Sequence, residues 1–198
     1  LTYAEKTPTN KKIVWVAVAD VAALVPKDSP IDLHARLNTT SVYTPKKIFP
    51  MLPEKLSTNL TSLNENEDRI AMVVKMEIDD KGNIENSSIS QARVHNYAKL
   101  TYSGVGAWLE GKNSIPQKIE QVTGLENALK IQHEVAQLLK KKRHAAGSLT
   151  LESSEGQVKV EGNNEIVIQS STHNFAHQLI EEFMIASNMC VANFFKKV

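Results

Sequence analysis

The apolar run from Ile13 to Ala19, IVWVAVA, constrains the fold more than any other segment of the chain. Every residue in this run is apolar and most are β-branched, which is typical of a strand buried on both faces of a sheet. A second strand is predicted at Arg69–Ile78, followed by a tight turn at Asp79–Asn83 and a return strand that ends near Val94. The chain is therefore predicted to form a sheet whose two faces must be covered by other elements.

Apolar residues at helical spacing predict the elements that cover this sheet. Two long helices are predicted, one at Ile119–His144 that is stopped by Gly147 and one at about His173–Lys197. Short helices are predicted at Leu33–Leu37 and Thr101–Leu109, and short strands at Leu149–Glu152, Val158–Val160 and Ile166–Ile168. Together these elements predict an α+β fold, a mixed β-sheet core packed with long helices, in a single domain over residues 1–198.

Composition narrows the class of protein. The chain is 41% hydrophobic and contains no apolar run of the roughly 18 residues that a membrane span needs. Its one cysteine, Cys190, excludes an intrachain disulfide and a zinc cluster built from cysteines, and its apolar neighbours predict a buried thiol. Because 23 basic residues almost balance 22 acidic ones, charge alone does not indicate nucleic acid. These features predict a cytoplasmic protein with no membrane partner.

Three side chains near the C-terminus could carry metal or acid–base chemistry. His173, His177 and Glu181 follow one another at a spacing of four, which would place them on one face of the predicted last helix. The pattern is not HExxH, and no further cluster completes a zinc site. A polar stripe with an ion pair between residues four apart is the alternative, and we favour it.

Other polar and aromatic residues also have two interpretations. The basic run Lys140–His144 could bind phosphates or could complement the negative end of a helix in solvent, and we favour the second. Trp15 and Trp108 are predicted to be buried. Tyr43 differs from them because it lies in the proline-rich segment Ser41–Pro53, predicted to be a functional loop, where a ring could be presented to a ligand.

The segment Thr40–Arg69, TSVYTPKKIFPMLPEKLSTNLTSLNENEDR, resembles a long motif of the ribonuclease II/R family, which reads TSVY-x-P, PMLP-E-x-LS, L-x-SL and then an acidic-Asp-Arg ending. Three further blocks resemble the family in the same order. They are VAVADV at Val16–Val21, AKLTY at Ala98–Tyr102 and AHQLIEEFMIASN at Ala176–Asn188. The resemblance covers nearly the whole chain, and it is interpreted as a partial catalytic domain of this family, truncated at both ends.

The resemblance implies a processive exoribonuclease that hydrolyses single-stranded RNA from the 3′ end to nucleoside 5′-monophosphates, with no DNA partner. Two divalent ions, Mg²⁺ or Mn²⁺, would drive the reaction. The family's aspartate cluster that binds them is expected just upstream of Leu1, and its arginine-bearing segment is expected beyond Val198. The metals would therefore be bound mainly by residues outside this segment, and the segment alone is predicted to be inactive.

The resemblance also implies roles for three residues. Tyr43 aligns with a tyrosine that packs against the 3′-terminal nucleotide, and Glu181 aligns with a supporting glutamate that contacts the terminal riboses. Leu151 aligns with an RNA-contacting aromatic residue, so leucine departs from the family pattern there. Asp20 lies in a family block without a metal role and is predicted to cap a turn. The alternative interpretation is a catalytically inactive module of this family that binds RNA or protein.

Overall fold

The predicted apolar strand is confirmed in the computed structural model, where it forms an inner strand of a four-stranded antiparallel sheet with strand order β1-β2-β5-β6. The strands are β1 (Thr2–Lys6), β2 (Lys12–Ala19), β5 (Asp68–Ile78) and β6 (Ile84–His95). Strand β1 is absent from the sequence-based prediction. It is an edge strand of this sheet and pairs with β2, from Thr2 opposite Val16 to Lys6 opposite Lys12.

The structure describes residues 1–44, 46–149, 156–161, 165–170 and 173–197, with side chains described outside 156–170. The chain divides into two compact units. The first unit comprises Leu1–Ala19, Leu63–Leu149 and Asn174–Val198, and the second comprises Asp20–Ser62 and Thr150–His173. Among the described residues, no helix is long and apolar enough to cross a membrane.

The turn between β5 and β6 forms where the sequence predicts it. One Asp79 carboxylate oxygen accepts hydrogen bonds from the backbone N–H groups of Lys81 (2.9 Å) and Asn83 (2.7 Å). Gly82 has φ = +78°, a left-handed conformation that glycine adopts without steric cost. The Asn83 side-chain NH₂ donates to the other Asp79 oxygen (2.7 Å) and is the largest cause of the lowered pKa of the Asp79 carboxyl group, to which the two backbone N–H groups also contribute.

The helices of the first unit are α2 (Tyr102–Leu109), α3 (Gln117–Gln121), α4 (Leu125–Ala145) and α5 (Phe175–Phe195). Helices α4 and α5 cover one face of the sheet, while α2 packs against α5 and α3 packs against α4. The main core lies between the sheet and the helices α4 and α5. Its fully buried members include Val14, Val16, Met76, Ile78, Val135 and Phe183. The predicted α+β class, with a sheet core packed by long helices, is confirmed.

The opposite sheet face carries a smaller core built on Ala17, Ala71 and Val73, against which Trp15 packs. Trp15 and Trp108 are only half-buried, so the prediction that they are core residues holds in part. Cys190 is buried, as predicted.

Two predicted helix boundaries are wrong. The single helix predicted at Ile119–His144 is interrupted, because the chain leaves α3 through an extended Val122 and a left-handed Gly124 (φ = +80°) before α4 begins. The last helix begins at Phe175, because the Asn174 side chain accepts from the N–H groups of the first turn. His173 therefore precedes the helix. The predicted stop at Gly147 (φ = +90°) is confirmed.

The second unit contains α1 (Pro30–Asn38), the short strands β3 (Val42–Tyr43) and β4 (Ile48–Phe49), a π-helical turn at Lys55–Leu60, and the hairpin of β7 (Gly156–Glu161) and β8 (Glu165–Ser170). Asp20 accepts a hydrogen bond from the Ala23 N–H (3.2 Å) at the start of a 3₁₀ turn, which confirms its predicted capping role. Most of the strand predicted at Leu149–Glu152 lies outside the described residues.

Candidate functional site

The first unit contains an open cavity of about 980 Å³. Its apolar wall comes from the cluster that joins α2, α4 and the start of α5, including Val105, Leu129 and Ala176. Its polar wall includes Gln132, which is almost fully buried and accepts a hydrogen bond from the Thr2 hydroxyl (2.6 Å). A cavity of this size, mostly apolar with a few placed polar groups, suits a base or sugar of a nucleic-acid strand.

Two pairs of ring side chains lie at this cavity. Tyr102, which lines it, stacks on His177 with ring centroids 4.3 Å apart and planes inclined by 12°. His95 and Tyr97 also line it, and their ring centroids are 4.6 Å apart. Tyr97 is 65% exposed and Tyr102 is 47% exposed. Exposed aromatic rings at a cavity are available for base stacking, so both pairs are candidate contacts for single-stranded nucleic acid.

Asn174 holds the first pair in place. Its side-chain oxygen accepts from the N–H groups of Ala176 (3.0 Å) and His177 (3.1 Å) and lies 2.8 Å from His177 Nδ1. Its side-chain NH₂ donates to the backbone carbonyl of Tyr102 (2.9 Å). A Cβ atom at Gly106 would lie 2.3 Å from the Asn174 side chain, so α2 approaches Asn174 this closely because Gly106 has no side chain.

Asp68 contacts the second pair of rings, His95 and Tyr97, through His95. His95 Nδ1 lies 2.6 Å from Asp68 Oδ1, and Arg93 Nε lies 3.7 Å from the other carboxylate oxygen. The hydrogen bond with His95 is the largest cause of the lowered pKa of the Asp68 carboxyl group. This carboxylate orients the His95 ring toward the cavity-lining Tyr97.

Glu181, the predicted ribose contact, lies on α5 one turn after His177, and its side chain is about half exposed. The next residue, Glu182, is 2% exposed and pairs with Arg143 through Nη2–Oε1 (2.6 Å) and Nε–Oε2 (3.3 Å) contacts. Arg143 Nη2 also lies 3.6 Å from Glu181 Oε1. The hydrogen bond with Glu182 raises the pKa of the Arg143 guanidinium.

The Arg143–Glu182 pair changes the interpretation of the basic run Lys140–His144. One of its cations, Arg143, points into the protein and is engaged by Glu182, while Lys141, Lys142 and His144 are exposed. No role for Glu182 is predicted from the sequence. The available signal was two adjacent acidic residues between the apolar pairs Leu179–Ile180 and Phe183–Met184, because one of the two carboxylates must then face the protein and needs a cation there.

Tyr43 lies in the second unit, on the β3–β4 hairpin, and its ring is 76% exposed. Tyr43 pairs with Ile48 and Val42 pairs with Phe49. Thr44 closes the hairpin, since its hydroxyl donates to the Lys47 carbonyl (2.6 Å) and accepts from the Lys47 N–H (3.1 Å). The ring is therefore exposed on the Ser41–Pro53 segment, and its contact with a ligand stays a prediction. Leu151, the third predicted RNA contact, lies outside the described residues.

His173, His177 and Glu181 do not lie on one face of a single helix, as both interpretations of their spacing had assumed. His173 lies before α5, whereas His177 and Glu181 lie on it, so the three residues do not share a helix. His177 stacks on Tyr102 and contacts Asn174. Among the residues that the structure describes, no group of three or more His, Cys, Asp and Glu side chains could hold a metal ion.

Known proteins share both the sequence and the fold of this chain. The sequence model of the RNB domain matches residues 1–198. Ribonuclease R of Escherichia coli (strain K12) is 37% identical over 196 residues, which are 98% of this chain and 24% of that protein. Ribonuclease R of Thermotoga maritima is 34% identical over 193 residues, which are 96% of this chain and 27% of that protein. The chain thus spans about a quarter of the length of these relatives.

Solved structures agree with the sequence matches. Mycoplasma genitalium RNase R in complex with ribose-methylated single-stranded RNA superposes with a TM-score of 0.87 at 29% identity, over 99% of this chain and 30% of that chain. Yeast Ssd1, a pseudonuclease, superposes with a TM-score of 0.65 at 16% identity, over 91% of this chain and 21% of that chain, and shares the fold alone. The family model covers all 198 residues, so the resemblance to ribonuclease II/R is confirmed and the chain belongs to the RNB domain family.

Proposed function

We propose that this chain is the RNA-holding part of a cytoplasmic exoribonuclease that degrades single-stranded RNA processively from the 3′ end and releases nucleoside 5′-monophosphates. The observation that carries the proposal is the stacked pair of Tyr102 and His177 at the large open cavity, with Glu181 one turn further along α5. Membership in the RNB domain family and the ribonuclease R relatives support the same activity.

The exposed rings supply sequence-tolerant binding. Each base that stacks on an exposed aromatic ring such as Tyr43, Tyr97 or Tyr102 contributes about 1–3 kcal/mol, whatever its identity. The chain needs no side chains that read base edges for this task, which fits an enzyme that removes every nucleotide in turn. The nearly neutral net charge of +1 also fits binding dominated by stacking more than by phosphate contacts.

Glu181 supplies a contact specific to ribose. Its half-exposed carboxylate can accept a hydrogen bond from a 2′-hydroxyl, the group that distinguishes RNA from DNA. A charge-assisted hydrogen bond of this kind is worth about 1.5–3 kcal/mol. We propose that Glu181 supports catalysis by contacting the terminal riboses, that Tyr43 packs against the 3′-terminal nucleotide, and that Leu151 also contacts the RNA.

The reaction needs metal ions, but the residues that the structure describes contain no cluster of side chains that could bind one. We propose that Mg²⁺ or Mn²⁺ is bound mainly by residues outside this segment, and that Glu181 acts on the ribose and not as a metal ligand. The 198 residues alone are accordingly expected to bind RNA without hydrolysing it.

The test uses the protein expressed from its complete reading frame. With Mg²⁺ and a 5′-labelled single-stranded RNA, we expect the label to pass directly into short end products without a ladder of intermediates, and a DNA strand of the same sequence to persist. Chelation of Mg²⁺ should stop the reaction. Mg²⁺-dependent hydrolysis by the isolated 198 residues would contradict the proposed location of the metal ligands.

Leu151 favours a second candidate function. Leucine stands where the family resemblance places an aromatic base contact, which is expected to weaken stacking. The second candidate is a catalytically inactive module of the family that binds RNA or protein. RNA binding without any product in the assay above, with Mg²⁺ present, would select this candidate over the first.

A further inference from the structure

Arg143 contacts two successive carboxylates of α5. It lies in the last turn of α4, and its Nη2 atom is 2.6 Å from Glu182 Oε1 and 3.6 Å from Glu181 Oε1. Its Nη1 atom also donates to the hydroxyl of Ser148 (3.4 Å), just after α4 ends. One guanidinium group therefore joins the end of α4 to the middle of α5.

The contact with Glu182 determines where the guanidinium lies. Glu182 is almost fully buried, and it receives two hydrogen bonds from Arg143, from Nη2 and from Nε. A planar guanidinium held by two parallel hydrogen bonds has little freedom to rotate. A buried carboxylate is stable only with its cation in place, so this geometry is maintained whether or not a ligand is bound.

The fixed guanidinium constrains Glu181 without covering it. The Nη2 atom that donates to Glu182 also attracts Glu181 Oε1, while the Glu181 side chain remains 45% exposed. A glutamate on a helix surface normally samples several rotamers, and a neighbouring fixed cation favours those that keep its carboxylate close. An acceptor oriented before the ligand arrives binds a hydroxyl more tightly, because less side-chain freedom is lost on binding.

We propose that Arg143 is a positioning residue that, anchored by Glu182, orients the Glu181 carboxylate toward the 2′-hydroxyl of bound RNA. The inference rests on the proposed function of Glu181 as the ribose contact. It assigns Arg143 and Glu182 to ribose selection, a task in which neither residue contacts the RNA.

The experiment measures binding by the full-length protein without divalent metal, so that it does not depend on catalysis. The two probes are a single-stranded RNA and the same strand with 2′-deoxyribose in its 3′-terminal nucleotides. We expect the wild-type protein to bind the all-ribose strand about tenfold more tightly, as one charge-assisted hydrogen bond predicts. The variant Arg143→Met/Glu182→Met replaces the buried pair with apolar side chains, a change that buried ion pairs often tolerate without loss of stability.

In this double variant we expect the affinity ratio between the two strands to fall to about threefold. When Glu181→Gln is present in both proteins, the same double substitution should change the ratio by less than about twofold, because its effect acts through Glu181. Arg143→Lys serves as the variant that keeps a cation beside Glu182 but lacks the planar fork, and it should lower the ratio in the same direction.

Lys141→Met is the matched control, since it removes one exposed cation from the same helical turn. Lys141→Met should weaken the binding of both strands equally and leave the affinity ratio between them unchanged. An unchanged ratio in folded Arg143→Lys and Arg143→Met/Glu182→Met proteins would overturn the inference while leaving the exoribonuclease proposal intact. A wild-type protein that binds both strands equally would overturn the ribose role of Glu181 itself, and one that binds neither strand would overturn both proposals.

Discussion

Phe183 and Tyr43 are both large rings, yet the two units of the chain place them in opposite environments. Phe183 of the first unit is fully buried between the sheet and the helices. Tyr43 of the second unit stands 76% exposed on a hairpin with two residues in each strand. The Phe183 ring therefore contributes to stability, whereas the Tyr43 ring is presented to solvent, as are the Tyr97 and Tyr102 rings at the cavity of the first unit.

The difference in burial between these two rings predicts which substitutions lower stability and which ones weaken ligand binding. A buried side chain in the first unit is fixed by its packing neighbours, so its removal lowers the free energy of unfolding. An exposed ring on the hairpin is held mainly by the backbone, through the hydrogen bonds between Thr44 and Lys47. Its removal should affect ligand binding and leave stability nearly unchanged.

The largest effect is expected at the buried ring. Phe183→Ala should lower the free energy of unfolding of the purified chain by about 3–5 kcal/mol, because it leaves a cavity in the main core. Denaturant titration measures this change. Phe195→Ala, at a ring of the same helix that is 70% exposed, is the control and should stay within about 0.5 kcal/mol of wild type.

The contact between α2 and α5 should give the next largest loss of stability. Gly106→Ala places a Cβ atom too close to three Asn174 side-chain atoms, so either the Asn174 side chain or one of the two helices must shift. The expected cost is about 1–3 kcal/mol, typical of overpacking. Ser103→Ala, an exposed change on the same helix, should have little effect on the unfolding midpoint. A Gly106→Ala protein as stable as wild type would show that Asn174 can move without cost.

Tyr43→Ala tests the other side of the comparison. It should weaken binding of single-stranded RNA by about 1–3 kcal/mol through the loss of one stacking contact, and change the free energy of unfolding by less than about 0.5 kcal/mol. Tyr43→Phe keeps the ring and should retain most of the affinity, as measured by fluorescence anisotropy. A large loss of stability in Tyr43→Ala would contradict the contrast drawn between the buried Phe183 ring and the exposed Tyr43 ring.

The smallest effect is expected on the stability of the fold at low pH, through Glu134. Burial raises the pKa of Glu134, but hydrogen bonds from Lys6 and Lys12 outweigh it and bring the pKa below its usual 4.5. A carboxyl group whose pKa is lowered in the folded state stabilises the fold above about pH 4.5 and loses this contribution as the pH falls. Glu134→Gln should therefore flatten the decline of the melting temperature below that pH. An unchanged decline of the melting temperature at low pH would show that the contacts of Lys6 and Lys12 with this carboxylate do not stabilise the fold.

Local patterns in the sequence predict those parts of the fold that depend on neighbouring residues. The β2 strand, the Asp79 turn and the Gly147 stop follow from apolar runs, side-chain hydrogen bonds to the backbone and glycine conformations within a few residues. Strand β1 is missed because TYAEK has little apolar character and forms a strand by pairing with β2. The break between α3 and α4 is missed because Gly124 is tolerated inside helical patterns, and only the structure shows its left-handed conformation.

Some residues of the candidate site can also be found from the sequence, and others cannot. The family motifs identify Tyr43 and Glu181, and both side chains are exposed enough to contact a ligand. The pair of Arg143 with Glu182 joins residues 39 positions apart, and the stack of Tyr102 on His177 joins residues of two helices. Neither contact has a local signature, because both depend on how α5 packs against its neighbours.

Asn174 and Gly106 impose a constraint on how the sequence can vary. The Asn174 amide occupies the space that a side chain at position 106 would need, while it also binds the Tyr102 carbonyl and the first turn of α5. A larger residue at position 106 therefore costs stability unless position 174 becomes smaller, and that exchange removes the hydrogen bonds through which Asn174 links Tyr102 and His177. We expect natural variants of this chain to retain both residues together or to replace both together.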